Sequence, residues 1–189
     1  MKEIRWHGRG GQGAKTVSQL LAVALLTEGH YVQAFPEYGP ERSGAPVQAY
    51  DRIDDKPIRL HCAVTHPSLV VVLDAGLLAE VPVTLGLPAD GLLLINSPDA
   101  AAQIGERLHF GGRIITVPGD RLAVAAGTHF ANVVLLGAAA QVLGEPGLET
   151  LVQAAQDGMK KLSPAAQEAS IRAIRSGYAA IDTQRRAYA

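Results

Sequence analysis

The chain has one cysteine, Cys62, in 189 residues. An internal disulfide is therefore excluded, as is a cysteine-ligated iron–sulfur cluster held by this chain alone. Aromatic residues are scarce and charges are few. Lys and Arg number 17 against 18 Asp and Glu, a net charge of −1, so the basic excess of a nucleic-acid binder is missing. Few charges and few aromatics suit a subunit that hides surface against partners. No apolar stretch reaches the ~18–20 residues needed to span a bilayer. The longest tight apolar run is Leu69 to Leu73, the length of a buried strand. Met1-Lys2-Glu3-Ile4-Arg5 passes directly into a strand pattern and leaves no room for a secretion signal, so the expected location is the cytoplasm.

What is present is a hydrophobic fraction of 48%, enough for one well-buried domain spanning residues 1–189. Residues 3–7 read as a strand. Val17, Leu20, Leu21, Ala24 and Leu25 fall at helical spacing within 13–28, and Gly29 stops that helix. Residues 31–35 and 47–53 read as strands, with a Pro/Gly loop at 36–46 between them. The turn at 54–57 offers Ile58–Leu60 as a hairpin partner. Continuous apolar runs at 69–73, 91–95 and 113–117 suit parallel strands covered on both faces. Helices are expected at 120–126, 130–143, 148–161 and 165–187, the last begun by Ser163-Pro164. Strands alternating with helices give an α/β class: a Rossmann-like, mostly parallel sheet with helices on both faces and an antiparallel hairpin at one edge.

The strongest motif is Gly8-Arg9-Gly10-Gly11-Gln12-Gly13, followed by Ala14-Lys15-Thr16, between the first strand and the first helix. Glycines there let the backbone turn sharply and let a phosphate approach the amides. The helix start adds unpaired N–H groups and partial positive charge. The residues fit G-x-G-x-x-G in its proper strand–loop–helix setting. Two features depart from the common nucleotide sites. A dinucleotide fold wants an acidic residue closing the second strand, and here that strand ends Gln33-Ala34-Phe35. A P-loop wants Lys directly after the last glycine, and Ala14 intervenes, a rotation of ~100° on a helix. Close helix–sheet packing alone is the competing explanation of the glycines.

The second unusual segment is Pro36-Glu37-Tyr38-Gly39-Pro40-Glu41-Arg42-Ser43-Gly44-Ala45-Pro46. It follows the second strand and so falls at the same carboxyl edge, where open α/β sheets bind ligands. Together, His7 to Gly13 and Tyr38 to Ala45 resemble the gamma subunit of 2-oxoacid:ferredoxin oxidoreductases, with the pyruvate-type branch nearest. The later patterns Leu69–Asp74, Asn96-Ser97-Pro98 and Asn132-Val133-Val134-Leu135-Leu136-Gly137-Ala138 are similar to that family too, over essentially the whole chain.

The resemblance implies an oxidative decarboxylation of a 2-oxoacid to an acyl-CoA and CO₂. It implies alpha, beta and delta (ferredoxin-like) partner subunits that hold thiamine diphosphate, Mg and [4Fe-4S] clusters. Ferredoxin, or a flavin subunit reducing NAD, is the implied acceptor. This chain is implied to contribute assembly and coenzyme A binding, to hold no catalytic residue and no metal, and to be inactive alone. Gly10, Gly11, Gln12, Gly13, Lys15, Arg42 and Ser43 are the implied contacts to the coenzyme A phosphates. The alternatives are a stand-alone Rossmann-type dinucleotide-binding oxidoreductase and a small phosphate-binding module.

Other polar residues receive plainer readings. Asp74 ends a strand and suits a cap more than a ribose ligand. His61, Cys62 and His66 supply at most three metal ligands, and Cys62 is read as a small buried residue. Asn96 closes a strand, and His129 and Asn132 open a helix.

Overall fold

In a computed structural model, residues 1–37 and 43–187 are described, with side chains described as far as Ile181. Among them six strands form one sheet: β1 (Lys2–Arg9), β2 (Tyr31–Pro36), β3 (Pro46–Asp54), β4 (Leu69–Val72), β5 (Leu92–Asn96) and β6 (Arg113–Val117). Their spatial order is β2-β3-β1-β4-β5-β6. β1, β4, β5 and β6 pair in parallel, whereas β3 runs antiparallel to both β1 and β2. β2 therefore points the same way as β1, with β3 between them. The expected antiparallel hairpin at one edge is β2–β3.

Ile58–Leu60 is not its partner. The backbone of residues 57–67 instead crosses the sheet without regular structure and is held by side chains. Gln33 Nε2 donates to the Ile58 carbonyl at 3.3 Å, and Arg52 Nη2 donates to the carbonyls of Cys62 and Ala63 at 2.7 and 3.2 Å. A segment whose carbonyls are already engaged this way has no need of a strand ladder. Cys62 lies on its exposed side, not in the core.

The six helices are α1 (Ala14–Thr27), α2 (Ala101–Leu108), α3 (Gly119–Ala126), α4 (Ala131–Leu143), α5 (Leu148–Gly158) and α6 (Pro164–Ala187), with a 3₁₀ turn at Ala75–Ala79. α1 buries the apolar stripe seen in the sequence, Val17, Leu20, Leu21, Ala24 and Leu25. Gly29, at φ 92°, ends it: the Gly29 and His30 amides donate to the carbonyls of Leu26 and Leu25, which closes the last turn.

Alternation along the strands builds two cores. Leu69, Val71, Leu92 and Leu94 face α1 and α3–α6. Val70, Val72, Leu93 and Ile95 face the opposite side, against Leu77 and Ile104 of the 3₁₀ turn and α2. Helices thus cover both faces. α4 lies on the sheet and α6 crosses outside it at very close range. A Cβ on Gly137 would sit 2.0 Å from the Ile174 carbonyl, and one on Gly177 would sit 1.9 Å from that of Val134. Only glycine permits that approach.

Candidate functional site

The carboxyl ends of β1 and β2 and the start of β3 meet at one edge of the sheet. β1 runs into the glycine loop there. Gly11 (φ 96°) and Gly13 (φ 76°) take the left-handed conformation that side chains resist. Gly13 is doubly constrained, because a Cβ would also meet Asn132 Nδ2 at 2.4 Å. The second loop is joined to the first through its last residues. The Gly10 amide donates to the Ala45 carbonyl at 2.8 Å, and the Gly44 amide to the Gly10 carbonyl at 3.2 Å.

Between the two loops opens a cavity of about 520 Å³. Gly10, Gly11, Gly13, Lys15 and Ser43 all line it, with Thr16, Pro36, Glu37 and Gln48. The first hydrogen bond of α1 runs from the Val17 amide to the Gly13 carbonyl, and no side chain caps the helix. The amides of Ala14, Lys15 and Thr16 are therefore without helical partners at the cavity wall. Lys15 is exposed and has no ion pair among the described residues. Glu37, which also lines the cavity, accepts from the Tyr50 hydroxyl. Arg42 lies outside the described residues.

Gln12 does not join this lining. Its Oε1 accepts from the Arg9 amide at 2.7 Å and its Nε2 donates to Asp74 Oδ2 at 2.9 Å. Arg9 is likewise engaged. Nε donates to Asp74 at 2.9 Å, Nη1 and Nη2 to Glu80 at 3.1 and 2.5 Å, and Nη1 also to the Gly44 carbonyl at 3.3 Å. Glu80 and then Asp74 raise the guanidinium's pKa above its usual value. Burial would raise that of Asp74, but hydrogen bonds from Gln12, Gly76 and Arg9 outweigh it and lower the pKa. Asp74 also caps the 3₁₀ turn, accepting from the Gly76 amide at 2.8 Å. This network fills the crevice between β1 and β4, where connections leave the sheet for opposite faces. The acid that might have read a ribose holds the loop instead.

Asn96 closes the neighbouring strand end, donating to the Leu73 carbonyl and to Asp120, both at 3.0 Å. His61 and His66 are exposed on the 57–67 segment. Among the described residues no three His, Cys, Asp or Glu side chains gather as a metal set. Glu80 gave no signal in the sequence. Arg5 and His7 did, as the alternate polar positions of a strand otherwise made of Ile4 and Trp6.

Comparisons with known proteins place the whole fold. The pyruvate synthase subunit PorC of Thermotoga maritima is 43% identical over 178 residues, 93% of this chain and 92% of the relative. The pyruvate/ketoisovalerate oxidoreductases common subunit gamma of Thermococcus kodakarensis is 43% identical over 176 residues, 89% of this chain and 95% of that one. The crystal structure of pyruvate oxidoreductase subunit PORC from Thermotoga maritima superimposes with a TM-score of 0.82 at 41% identity, covering 94% of both chains. Residues 3–180 match the pyruvate ferredoxin/flavodoxin oxidoreductase family, and the chain belongs to that family.

Proposed function

We propose that this chain is the gamma subunit of a 2-oxoacid:acceptor oxidoreductase of the pyruvate type, and that its glycine-loop cavity holds the phosphates of coenzyme A. In that reaction a 2-oxoacid and coenzyme A give an acyl-CoA and CO₂, and two electrons pass to ferredoxin. The carbon chemistry is supplied by thiamine diphosphate and the electron path by [4Fe-4S] clusters, both in the alpha, beta and delta partners. One cysteine cannot ligate such a cluster. The chain works in the cytoplasm and is inactive alone.

The observation that carries the binding role is the cavity wall itself. Three unpartnered amides and the positive end of α1 face a space beside an exposed lysine and the Ser43 hydroxyl. A pyrophosphate satisfies all of these at once. Arg9 and Gln12 act as positioning residues, because their polar groups are spent on Asp74, Glu80 and the loop backbone. The carboxylate of Glu37, also in the lining, repels a phosphate and so favours its seating at the start of α1.

In the assembled enzyme, Lys15→Ala and Arg42→Ala should each raise KM for coenzyme A by about tenfold. That is the low end expected for losing one exposed charge-assisted hydrogen bond. Both variants should leave kcat at saturating coenzyme A near the wild-type value. An unchanged KM in both variants refutes the phosphate reading.

A further inference from the structure

The other face of the antiparallel strands carries a second cavity, of about 470 Å³, walled by the sheet on one side and by residues 63–66 and 81–86 on the other. Arg5, His7, Tyr50 and Thr65 line it, and Glu37 and Gln48 stand between it and the glycine-loop cavity. Arg5 is only 5% exposed, and a buried guanidinium is normally matched by a carboxylate. Among the described residues it has no such match. Nε donates to His7 Nε2 at 3.0 Å, and Nη2 donates to the carbonyls of Val83 and Leu85 at 3.0 and 2.6 Å.

The remaining nitrogen, Nη1, has no partner among the described residues and is not among the orphan atoms sealed from solvent. Its open side is the cavity. His7 cannot balance the charge: it accepts from Arg5, and burial together with the Arg5 charge lowers its pKa to about 3, so the ring is neutral. Glu37 accepts from the Tyr50 hydroxyl; its charge favours the Arg5 cation through space, but the two make no direct ion pair.

We propose that this cavity binds a small monocarboxylate, whose carboxylate pairs with Nη1 of Arg5. An open guanidinium N–H with no direct carboxylate contact suits one carboxylate oxygen. A phosphate dianion would set its second charge against Glu37. The Thr65 hydroxyl offers a hydrogen bond to a short polar body. Arg5 lies on the sheet face away from α1, so this site does not depend on the phosphate reading of the glycine loop.

The test is a titration of the isotopically labelled full-length chain with sodium pyruvate and sodium acetate, read at the Arg5 Nε–H and His7 ring resonances. Acetamide and sodium sulfate serve as neutral and dianionic controls. Saturable shifts with both carboxylates and none with acetamide are expected, and Arg5→Gln should weaken binding at least tenfold. Because Arg5 also ties down residues 83 and 85, a second variant is needed. Ala63→Trp places a large ring at an exposed lining position that makes none of the Arg5 bonds. It should weaken binding at least tenfold while keeping the wild-type urea midpoint. The proposal is overturned by an absence of saturable shifts, by an equal response to sulfate, or by an Ala63→Trp variant that titrates like wild type. Binding to the free chain but not to the assembled complex also overturns it, since an acidic side chain of another subunit would then be the natural partner of Arg5.

Discussion

Asp51 is a fully buried carboxyl beneath α1, and its protonation sets a measurable pH dependence of stability. Trp6 Nε1 donates to its Oδ2 at 2.6 Å, and Ser18 Oγ lies 3.1 Å from its Oδ1 and 3.3 Å from the Tyr50 carbonyl. Ser18 has a single proton. If Asp51 is neutral, its own proton goes to Ser18 Oγ and the serine proton goes to the carbonyl, so every group is satisfied. If Asp51 is ionised, the serine must choose, and a charge sits in the core. Burial accordingly raises the Asp51 pKa from 3.8 to about 8, against the opposing hydrogen bonds from Trp6 and Ser18.

Between those values the folded chain binds a proton that the unfolded chain has released, so stability falls as pH rises from about 4 to about 8. Four units at ~1.4 kcal/mol each bound the loss at about 6 kcal/mol. Asp51→Asn keeps the neutral pattern, accepting from Trp6 and donating to Ser18, but leaves one buried N–H unpaired at a cost of about 1–3 kcal/mol. The variant should therefore be less stable near pH 4, match wild type one to two units higher, and exceed it at pH 8. Urea unfolding between pH 4 and 9 measures this directly, because Trp6 is the sole tryptophan and touches Asp51. A stability difference independent of pH would show that the carboxylate is ionised in the fold, and the reasoning would fail.

Two further outcomes are expected. His7→Gln should remove an acid-side loss of stability. The wild-type ring stays neutral down to about pH 3 while the unfolded chain protonates near 6.5, so wild-type stability falls as pH drops through that window. A His7→Gln minus wild-type difference that does not grow towards pH 3 would contradict this. Gly137→Ala and Gly177→Ala should each cost about 1–3 kcal/mol by forcing α4 and α6 apart. The double variant should cost less than the sum, since one separation serves both; full additivity in urea midpoints would mean that the two glycines do not share a crossing.

What was legible in the sequence was local. The stripe from Val17 to Leu25, the apolar runs of β4 to β6 and the left-handed demands of Gly11 and Gly13 are written within a few residues of each other. α2 was not read as a helix, because Ile104 is its one buried side chain and a single position has no period. The fate of Ile58–Leu60 was unreadable for another reason: Gln33 engages the Ile58 carbonyl and Arg52 those of Cys62 and Ala63 just beyond, contacts made by side chains and not by a strand pattern. The site divides the same way. The glycines, Lys15 and Ser43 fall around one cavity as their motifs imply, but the employment of Gln12 is fixed by Asp74, 62 residues away in sequence. Cys62 was read as buried from residue type alone, but the segment that carries it is held through its carbonyls and leaves the residue exposed.

The position of β1 has a consequence for synthesis. It precedes both of its neighbours in the chain and is a central strand of the finished sheet, with β3 on one side and β4 on the other. Ile4 and Trp6, both wholly buried at the end, cannot be enclosed until chain has been made through Val72 and α1 has found its place. During that interval a nascent chain presents two unpaired strand edges and its single indole to solvent. Translation speed between β1 and β4, and the chaperones that bind extended apolar segments, therefore bear on the yield of this chain more than on that of a protein whose strands pair in the order they are made.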